Sequence, residues 1–548
     1  MPLLGIESTA HTFGVGVVEE ENGRLKVLAN ERAMVQPPPP KPGEDAMGIH
    51  PRDAAHHHAE RAPQLVEAAL AAAGVSAAQL DGIAFSQGPG LAPCLRVGAT
   101  VARALSIGHG KPLVGVNHCV AHLEAGRGLF DLADPLLLYA SGGNTQVLAF
   151  ARGHYRVFGE TLDVGVGNAL DKFAREQGIP FPGGPELEKL AATAPQGDLL
   201  QLPYSVKGMD LSFSGLATAA SRAVAGGAGL PRVAHAFQEH AFAELVEVAE
   251  RALAATGKRE LLLGGGVACN ARLQAMAKAM CEARGVTFAC PPRSLLVDNG
   301  AMIAWTGLLK LRAGGAVAVE DSDVQPHQRS DGAEVTWRKD PTPTRAAGLD
   351  GAEARITADP TGRAVSKARI AKAYRHPRLD DRLRAERTRD EGRLLLAARA
   401  AGVPVPVLLE ADRGAATLRL ERVPGATLEG QLDRDAPAQA MARLTELGRL
   451  VGRLHDGNVT HGDLTTRNVL VPDPTKLHLV LLDFGLGSFS EEPEDRGTDL
   501  HMLEEALAAT RPDADALFAA FLDGYRNCRA ARLALERLEG IRERGRYR

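Results

Sequence analysis

The hydrophobic pattern of the first 340 residues repeats one arrangement of strands. Leu3 to Val18 reads as an apolar strand, a small polar turn and a second strand, and a third apolar run follows near Leu25 to Val35. The pattern returns at Leu136 to Phe150, again as strand, Gly/Ser turn and strand, and continues into a hairpin through Gly153. Short apolar runs bounded by turn residues predict β-strands. We interpret the recurrence as an internal duplication, each half beginning with a β-meander and continuing into helices.

Two lobes of this kind predict an α/β fold like that of actin and the sugar kinases, with the lobes at roughly residues 1–130 and 131–325. In that architecture the two turns face each other and hold phosphates, so we expect a ligand between the lobes. Residues His56 to His58 begin a helix in the first lobe. Consecutive side chains do not share a helix face, which favours an exposed helix start over a metal site.

A candidate metal site lies in the stretch N-H-C-V-A-H. His118 and His122 are four residues apart, so on a helix both imidazoles lie on one face and can bind one ion. Asp298 lies near the start of a predicted helix, where it either completes this site or only caps the helix. Two histidines and one carboxylate would suit Fe(II) or Zn(II). The alternative is a half-buried helix with two hydrogen-bonded histidines.

A glycine-rich turn supplies a second candidate element. Gly264 to Gly266 follow an apolar strand and precede a helix that carries Asn270. Glycines at such a turn let backbone N–H groups approach a nucleotide at the positive end of the helix dipole. Asp171 and Glu188 lie on two further predicted helices, before and after the break at Phe181 to Pro185.

A second domain begins after a proline-rich linker. Periodicity disappears from Gln325 to Ala347, and Pro341-Thr342-Pro343 marks a linker, so we place the boundary near residue 340. The predicted domains are residues 1–337 and 348–548, with 338–347 between them.

The second domain carries the spacing of a kinase catalytic loop. His461-Gly462-Asp463 is followed by Asn468, and Asp483-Phe484-Gly485 comes after a short apolar run. In H-x-D-x4-N and D-F-G, the first Asp orients the acceptor hydroxyl as proton acceptor, and Asn and the second Asp hold Mg²⁺. Both spacings match, which predicts ATP and Mg²⁺ chemistry.

Other kinase elements are partly present. Lys367 ends a predicted strand and resembles the phosphate-pairing lysine, with Lys372 as a rival, and Glu391 on a helix resembles its ion-pair partner. G-x-G-x-x-G is absent, and only the stretch beginning at Gly351, G-A-E-A, stands in its place. No A-P-E segment follows D-F-G either, so control of a protein substrate through an activation loop is not predicted.

Composition limits the partners. A net charge of −4 over 548 residues argues against a wholly basic nucleic-acid coat, so any contact with RNA must be local. Residues 526–548 carry eight arginines against three glutamates, which fits either a solvated surface or a contact with phosphates. Six scattered cysteines favour reduced thiols and no disulfides in a cytoplasmic protein. No apolar run reaches about 18 residues, so no membrane span is expected.

Together these motifs resemble two known families over nearly the whole chain. Residues 1 to about 337 resemble the tRNA threonylcarbamoyladenosine transferase subunit of the KEOPS complex, and residues from about 345 resemble its small atypical Ser/Thr kinase, a fusion familiar from archaea. The stretches that carry the first match are G-I-E-S-T-A-H-T-F-G-V-G, N-H-C-V-A-H, L-Y-A-S-G-G-N-T-Q, N-A-L-D-K-F-A-R, G-G-G-V-A-C-N-A-R-L and V-D-N-G-A-M-I-A-W.

The resemblance implies roles for individual residues. His118, His122 and Asp298 would hold a metal ion, Fe²⁺ or Zn²⁺, with the Tyr139 phenol as a further ligand. The residues implied to line the threonylcarbamoyl-adenylate pocket are Tyr139, Ala140, Ser141, Gly142, Gly143, Asp171, Gly184, Glu188 and Asn270. In the kinase half, Asp463 would be the proton acceptor, Asn468 and Asp483 the Mg²⁺ ligands, and Lys367, Glu391 and Gly351 part of the ATP site.

The implied reaction is transfer of threonylcarbamoyl from threonylcarbamoyl-AMP to N6 of adenosine 37, beside the anticodon, in tRNAs that read codons beginning with A. The kinase or ATPase half would support it, and the dimerising and tRNA-end-binding KEOPS subunits would be partners. A metallopeptidase is one alternative, but no H-E-x-x-H occurs, since Cys119 follows His118. A nucleic-acid-associated scaffold is another, and it would need vestigial sites, whereas these motifs are intact.

Overall fold

The computed structural model describes residues 1–36, 49–151, 153–195, 197–339 and 353–547. The chain divides into two compact units. Unit 1 contains Met1–Leu349 together with Ala373–His376, and unit 2 contains Asp350–Lys372 and Pro377–Arg548. Within the described ranges, no helix has the length and apolar character needed to cross a membrane.

Unit 1 is built on two five-stranded sheets of the same topology. The first contains β1 (Leu3–Glu7), β2 (Thr12–Glu21), β3 (Arg24–Met34), β4 (Gly82–Gly88) and β5 (Leu113–Asn117), in the order β3-β2-β1-β4-β5. The second begins with β6 (Leu136–Ala140), β7 (Thr145–Ala151) and β8 (His154–Glu160); after the small hairpin β9 (Val206–Lys207) and β10 (Asp210–Leu211), it is completed by β11 (Glu260–Gly264) and β12 (Thr287–Ala289).

Each sheet joins an antiparallel three-stranded meander to two parallel strands. In the first sheet β1 pairs antiparallel with β2 and parallel with β4. In the second sheet β6 pairs antiparallel with β7 and parallel with β11. The predicted internal duplication is therefore confirmed. All five residues of β1 and of β6 are buried, as expected for central strands that are covered on both faces.

Ten helices of the described chain surround these sheets. They are α1 (Pro51–Ala73), α2 (Ala92–His109), α3 (His118–Phe130), α4 (Val166–Glu176), α5 (Gly183–Ala192), α6 (Ser214–Ala225), α7 (Leu230–Thr256), α8 (Ala271–Arg284), α9 (Arg293–Leu296) and α10 (Gly300–Arg312). The prediction of an exposed start for the triple histidine is wrong for His58, which is buried and lies 3.0 Å through Nε2 from the Ala10 carbonyl oxygen. Its position within α1 turns it toward the sheet.

Helix α10 packs on the first sheet at very short range. A Cβ added to Gly5 would lie 2.2 Å from the Ala304 nitrogen, and one added to Gly16 would lie 2.2 Å from the Ala301 nitrogen. Only glycine permits backbones to approach this closely. Because only Asn299 separates Asp298 from α10, this contact also constrains the position of Asp298.

Residues after α10 remain part of unit 1. The Asn117 amide donates to the Gln328 side-chain oxygen and to the Arg329 carbonyl, both at 3.2 Å. Arg338, the first residue of the predicted linker, is buried in unit 1, where it pairs with Asp134 at 2.7 Å and Glu124 at 3.4 Å. Residues 325–339 form no helix or strand and are held by such polar contacts together with the packing of Ala333, Val335 and Trp337, so the segment shows no periodicity.

Unit 2 begins with a four-stranded antiparallel sheet, in the order β13-β14-β16-β15, and the helix α11. Its elements are β13 (Ala354–Ala358), β14 (Ala364–Arg369), α11 (Pro377–Ala400), β15 (Leu408–Asp412), β16 (Thr417–Glu421), β17 (Ala426–Thr427), α12 (Leu428–Leu432), α13 (Pro437–Asp456), β18 (Val459–Thr460), β19 (Val469–Val471), β20 (Val480–Leu481), β21 (Ser488–Phe489), α14 (Pro493–Thr510), α15 (Ala514–Tyr525) and α16 (Ala531–Tyr547). Most of these helices follow the sheet in sequence, which is an α+β arrangement. Gly351 lies outside the described residues.

Candidate functional site

The two histidines of the N-H-C-V-A-H stretch, His118 and His122, lie on one face of α3, as the sequence predicts. Helix α3 starts directly after β5, and the Asn117 side chain caps it by accepting a hydrogen bond from the Val120 N–H at 3.1 Å. His118 and His122 are buried one turn apart, with ring centroids separated by 5.0 Å.

Asp298 completes a three-residue cluster that could hold a metal ion. Its Oδ1 lies 3.5 Å from His118 Nε2 and 3.6 Å from His122 Nε2. Two ligands that share a tetrahedral ion through bonds of about 2.1 Å are separated by roughly 3.4 Å, close to both distances. The His122 Nε2 is buried without a hydrogen-bond partner among the described residues. The donor set and this unpaired nitrogen therefore fit a metal.

The helix-capping alternative for Asp298 does not hold. Asn299 is the N-cap of α10, and its side-chain oxygen accepts from the Met302 N–H at 3.0 Å. The Asp298 carboxylate is thus not the N-cap of α10 and instead faces His118 and His122. It is only partly buried, with 25% of the side chain exposed, so one face of the cluster is open to a ligand.

The first turn supplies a carboxylate that sequence reasoning missed. Glu7, at the end of β1, accepts a hydrogen bond from His118 Nδ1 at 2.9 Å. The same carboxylate accepts from the Thr9 N–H at 2.6 Å and the Thr9 hydroxyl at 2.5 Å. Protonation at Nδ1 leaves His118 Nε2 directed at Asp298, and a carboxylate behind a ligating histidine raises its basicity. The Tyr139 hydroxyl lies 3.0 Å from that Nε2.

The cluster attracts positive charge. Burial lowers the pKa of His118, but Glu7 and Asp298 outweigh it and hold this pKa above its usual value. Burial raises the pKa of Asp298, yet the two histidines more than offset this and lower it to about 2. Groups that stabilise a proton on His118 stabilise a metal cation in the same way.

The second of the two predicted turns, Ser141 to Asn144, connects β6 to β7. The Ser141 N–H donates to the Asn144 carbonyl at 2.9 Å, which closes the turn, and the Ser141 carbonyl accepts from the Gly167 N–H at 3.0 Å. A Cβ on Gly143 would meet no described atom within 4 Å, and the same is true at Gly184 and Gly266. The backbone at these three positions is therefore accessible to a ligand.

Three other residues that were predicted to line the pocket form hydrogen bonds within the protein. Asp171 accepts from the Gly183 N–H at 2.7 Å, and burial raises its pKa. Glu188 accepts from the Ala271 N–H at 2.7 Å. Asn270 caps α8 by accepting from the Arg272 N–H at 2.9 Å, and its amide donates to Gln238 at 3.0 Å. Asp171 and Glu188 thus fix the starts of α5 and α8.

In unit 2 three of the predicted kinase residues, Lys367, Glu391 and Asp483, are in direct contact. Lys367 Nζ lies 2.7 Å from Glu391 Oε1 and 2.5 Å from Asp483 Oδ1. The ion pair expected for Lys367 is present. Burial lowers the pKa of Lys367, but the Asp483 and Glu391 carboxylates outweigh this and raise it. Asp483 has a left-handed backbone, φ 56°, which is uncommon for a residue other than glycine and often marks functional sites.

The catalytic-loop residues are joined by direct bonds. The Asn468 amide donates to the Asp463 carboxylate at 2.8 Å. His461 Nε2 lies 2.8 Å from the Leu482 carbonyl, and the backbone N–H of Gly462 donates to Asp499 at 2.7 Å. Asp499, on α14, therefore anchors the loop, and sequence reasoning missed it because 36 residues separate it from Asp463.

Comparison with known proteins identifies both units. Residues 41–305 match the family model for tRNA N6-adenosine threonylcarbamoyltransferase, and residues 361–525 match the lipopolysaccharide kinase (Kdo/WaaP) family. A "probable bifunctional tRNA threonylcarbamoyladenosine biosynthesis protein" of Methanocorpusculum labreanum is 47% identical over 100% of this chain and 99% of its own. The chain belongs to this bifunctional family. Proteins with the same description from Methanospirillum hungatei and Methanothermobacter thermautotrophicus are 46% and 45% identical over 100% of this chain, and over 99% and 100% of their own.

Membership of the bifunctional family confirms the predicted fusion. The predicted fold, a duplicated actin-like domain followed by a kinase-like domain, is also confirmed. The kinase match includes β14, α11 and the catalytic loop, which carry Lys367, Glu391 and Asp463.

The arginine-rich end of unit 2 has acidic neighbours. Arg529 lies 3.7 Å from Asp456, and Arg537 lies 3.9 Å from Glu494. Arg542 pairs with Glu504 on α14, and burial of this pair is moderate. Arg526 and Arg532 pair within their own helices or turns, each at 3.0 Å. Four of these five arginines are 60–85% exposed despite these pairs, so the solvated surface and the phosphate contact both stay predictions for this segment.

Proposed function

We propose that unit 1 transfers a threonylcarbamoyl group from threonylcarbamoyl-AMP to N6 of adenosine 37 in tRNAs that read codons beginning with A. In this acyl transfer the N6 amine bonds to the carbamoyl carbon, AMP leaves with the bridging oxygen, and the amine loses a proton. The observation that carries the proposal is the convergence of His118, His122 and Asp298, with an unpaired buried nitrogen, in a chain of this family.

These three residues would hold Fe²⁺ or Zn²⁺, with Tyr139 as a further ligand. A cation there would polarise the carbamoyl carbonyl and stabilise the negative charge that develops on its oxygen. Glu7 keeps the His118 ring in the orientation and tautomer that direct Nε2 inward. The open face of Asp298 leaves room for a substrate atom.

The accessible glycines would bind the AMP portion of the donor. Gly143, Gly184 and Gly266 carry backbone that a phosphate or ribose can approach, and each lies in or next to a stretch that the family resemblance assigns to this pocket. Asp171 and Glu188 act in this proposal by fixing the helix starts that present those stretches.

The same arrangement argues against peptide hydrolysis. A metallopeptidase of the H-E-x-x-H type needs a glutamate free to act as base on water. Glu7 is buried and is fully engaged with His118 and Thr9. It therefore supports the histidine and is not available as a base.

For unit 2 we propose ATP hydrolysis or Ser/Thr phosphorylation that supports the transferase. Asp463 would accept the proton of the attacking hydroxyl or water, and Asn468 and Asp483 would hold Mg²⁺ on the phosphates. Lys367, fixed by Glu391, would meet the phosphate oxygens.

We further propose that the protein works in the cytoplasm within a KEOPS complex. Its implied partners are tRNA and the dimerising and tRNA-end-binding subunits. The six cysteines are free thiols in the structure, which suits a reducing compartment.

One assay tests the transferase proposal. The purified chain, with partner subunits and loaded metal, is incubated with threonylcarbamoyl-AMP and unmodified tRNA, and the tRNA is digested for nucleoside analysis. We expect threonylcarbamoyladenosine in a tRNA with adenosine at position 37, and none in a matched tRNA with guanosine there. Cleavage of peptides without tRNA modification would instead support the metallopeptidase.

A further inference from the structure

Arg369 grips the second oxygen of Glu391. It ends β14, two residues after Lys367, so both side chains leave the same face of the strand. Arg369 Nη2 donates to Glu391 Oε2 at 2.6 Å, while Lys367 Nζ holds Oε1 at 2.7 Å. All three side chains are buried. One strand therefore binds both oxygens of a single buried carboxylate on α11.

The same guanidinium reaches the segment that stands in for a glycine-rich loop. Arg369 Nη1 donates to Glu353 Oε2 at 3.1 Å, and Arg387 lies 3.4 Å from the other oxygen. Glu353 directly precedes β13 and belongs to the G-A-E-A stretch. The position where other kinases rely on flexible glycines is thus tied to α11 by charge.

Arg369 also packs against the D-F-G turn. A Cβ built on Gly485 would lie 3.0 Å from Arg369 Nη2 and 2.9 Å from Asp483 Oδ1. A larger residue at position 485 would have to displace the guanidinium. Arg369 therefore contacts Glu391, Glu353 and the turn that carries Asp483.

The second cation on Glu391 matters when Lys367 and Asp483 change partners on binding ATP. In the structure Lys367 neutralises both Glu391 and Asp483. When Mg²⁺ and ATP bind, Asp483 must turn to the metal and Lys367 must meet phosphate oxygens. If Lys367 moved toward the phosphates and Glu391 had no other cation, its buried carboxylate would lose its charge partner, which costs much free energy. Arg369, with its planar fork and permanent charge, keeps that carboxylate paired throughout the exchange.

We propose that Arg369 is a positioning residue of the kinase-like site, which holds Glu391, Glu353 and the D-F-G turn in the active arrangement without an activation segment. The proposal rests on the proposed ATP chemistry of unit 2. It explains how α11 stays in place in a chain that lacks A-P-E, and it predicts that ATP turnover needs no prior phosphorylation of a loop.

The test compares Arg369→Met, Arg369→Lys and the control Arg419→Met in the full chain. Arg419 is on the neighbouring strand β16, is 51% exposed, and has its acidic neighbour Asp359 at 3.6 Å. Steady-state hydrolysis of Mg-ATP gives kcat and KM, and hydrogen–deuterium exchange reports the protection of α11. We expect Arg369→Met to lower kcat about 100-fold, as for a misplaced catalytic group, and to speed exchange in α11.

The other two variants distinguish a role of Arg369 in positioning Glu391 from a general effect on the stability of the domain. Arg369→Lys keeps the charge but cannot bridge Glu391 and Glu353 together, so its kcat should lie between those of Met and wild type. Arg419→Met should match wild type in both measurements. If folded Arg369→Met, checked by circular dichroism, keeps its kcat and the protection of α11, the proposal is wrong.

A double-mutant cycle asks whether Arg369 acts through Glu391. If it does, the fold-loss of kcat in the double variant Arg369→Met/Glu391→Gln should be smaller than the product of the two single fold-losses, although the contacts of Arg369 with Glu353 and the D-F-G turn still add to it. Additive losses would contradict the proposal. A wild-type chain that does not hydrolyse ATP would count against the proposed function of unit 2; in that case the exchange rate of α11 in Arg369→Met still decides the positioning role.

Discussion

Glu7 is the residue through which the turn after β1 contacts the candidate metal site. It lies 111 positions before its partner His118, and its carboxylate is fully buried. A buried carboxylate survives only when it is paired, and here the imidazole and Thr9 are its partners. The first strand-turn-strand is therefore joined to the candidate metal site through the hydrogen bond between Glu7 and His118.

We expect Glu7→Gln to weaken metal binding by about 10–100-fold, as loss of an outer partner of a ligating histidine does. The amide can no longer favour the tautomer that directs Nε2 inward. Competition with a metal-sensitive dye gives the affinity. Glu21→Gln on β2, which removes a partly exposed ion pair with Lys26 on β3, is the matched control and should leave metal affinity unchanged. Equal affinities for Glu7→Gln and wild type would contradict this role.

Asn270 presents a separate question, because its side chain caps α8. We expect Asn270→Ala to raise the threonylcarbamoyl-AMP concentration needed for half-maximal transfer, with metal content unchanged. Loss of the cap should also cost about 1 kcal/mol of stability. Asn270→Ser can still cap the helix, so it separates the two effects. If Ser restores both stability and donor affinity, Asn270 acts by holding the loop and not by touching the donor.

The sequence predicts single residues well when the signal is local. Spacing by four places His118 and His122 on one helix face, and that is what α3 shows. The local sequence does not decide whether Asp298 is a metal ligand or the N-cap of α10, because Asn299 beside it is an equally good N-cap. In the structure Asn299 is the N-cap. Glu7 carries no local signal of its contact with His118, and burial of His58 depends on how α1 meets the sheet.

At the level of elements, the glycines of the first sheet set the position of α10. Gly5 and Gly16 leave no room for a side chain beneath Ala304 and Ala301. The helix follows Asp298 after the single residue Asn299, so the depth of this packing sets the position of one carboxylate of the candidate metal site. The apolar periodicity predicts the strands and the helix, but it does not say that a helix late in the chain packs on the first sheet.

We expect Gly16→Ala to destabilise unit 1 by about 1–3 kcal/mol or more, because its Cβ would meet backbone that cannot rotate away. The shift of α10 should also lower metal affinity. Gly108→Ala in α2 is the control: its Cβ would meet no described atom within 4 Å, and alanine is the better helix former. Thermal unfolding followed by circular dichroism gives the comparison. Similar transitions for the two variants would show that the contact is looser than described.

At the level of the whole molecule, the two activities are held at equal stoichiometry by one chain, and a tether raises their effective concentration for each other. Family resemblance and the kinase motif predicted this pairing, and the family matches confirm it. Domain limits were harder to predict. Arg338 belongs to unit 1, as do Ala373–His376, where the Tyr374 hydroxyl donates to Glu250 at 3.0 Å. Such single contacts leave no periodic trace in the sequence.

The order of events between the two activities can be tested with Asp483→Ala. Without that carboxylate the Mg²⁺ on the phosphates is not held, so ATP hydrolysis should be abolished. The first turnover of transfer needs no ATP, because the mixed anhydride already carries the driving force. We therefore expect the variant, with partner subunits present, to keep its first turnover and lose multiple turnover, if ATP hydrolysis drives release or reset of the tRNA. The measurement is modified adenosine per enzyme against time.

The matched control for that experiment is Asp473→Ala, which removes a partly exposed carboxylate from the turn between β19 and β20 and should behave as wild type. Two outcomes would contradict the proposed order. If Asp483→Ala is folded and binds tRNA but fails its first turnover, unit 2 acts before transfer, on loading of the donor or the tRNA. If it turns over repeatedly at the wild-type rate, ATP hydrolysis is not what resets the transferase, because nothing in the cycle then waits for the phosphates that Asp483 is needed to bind.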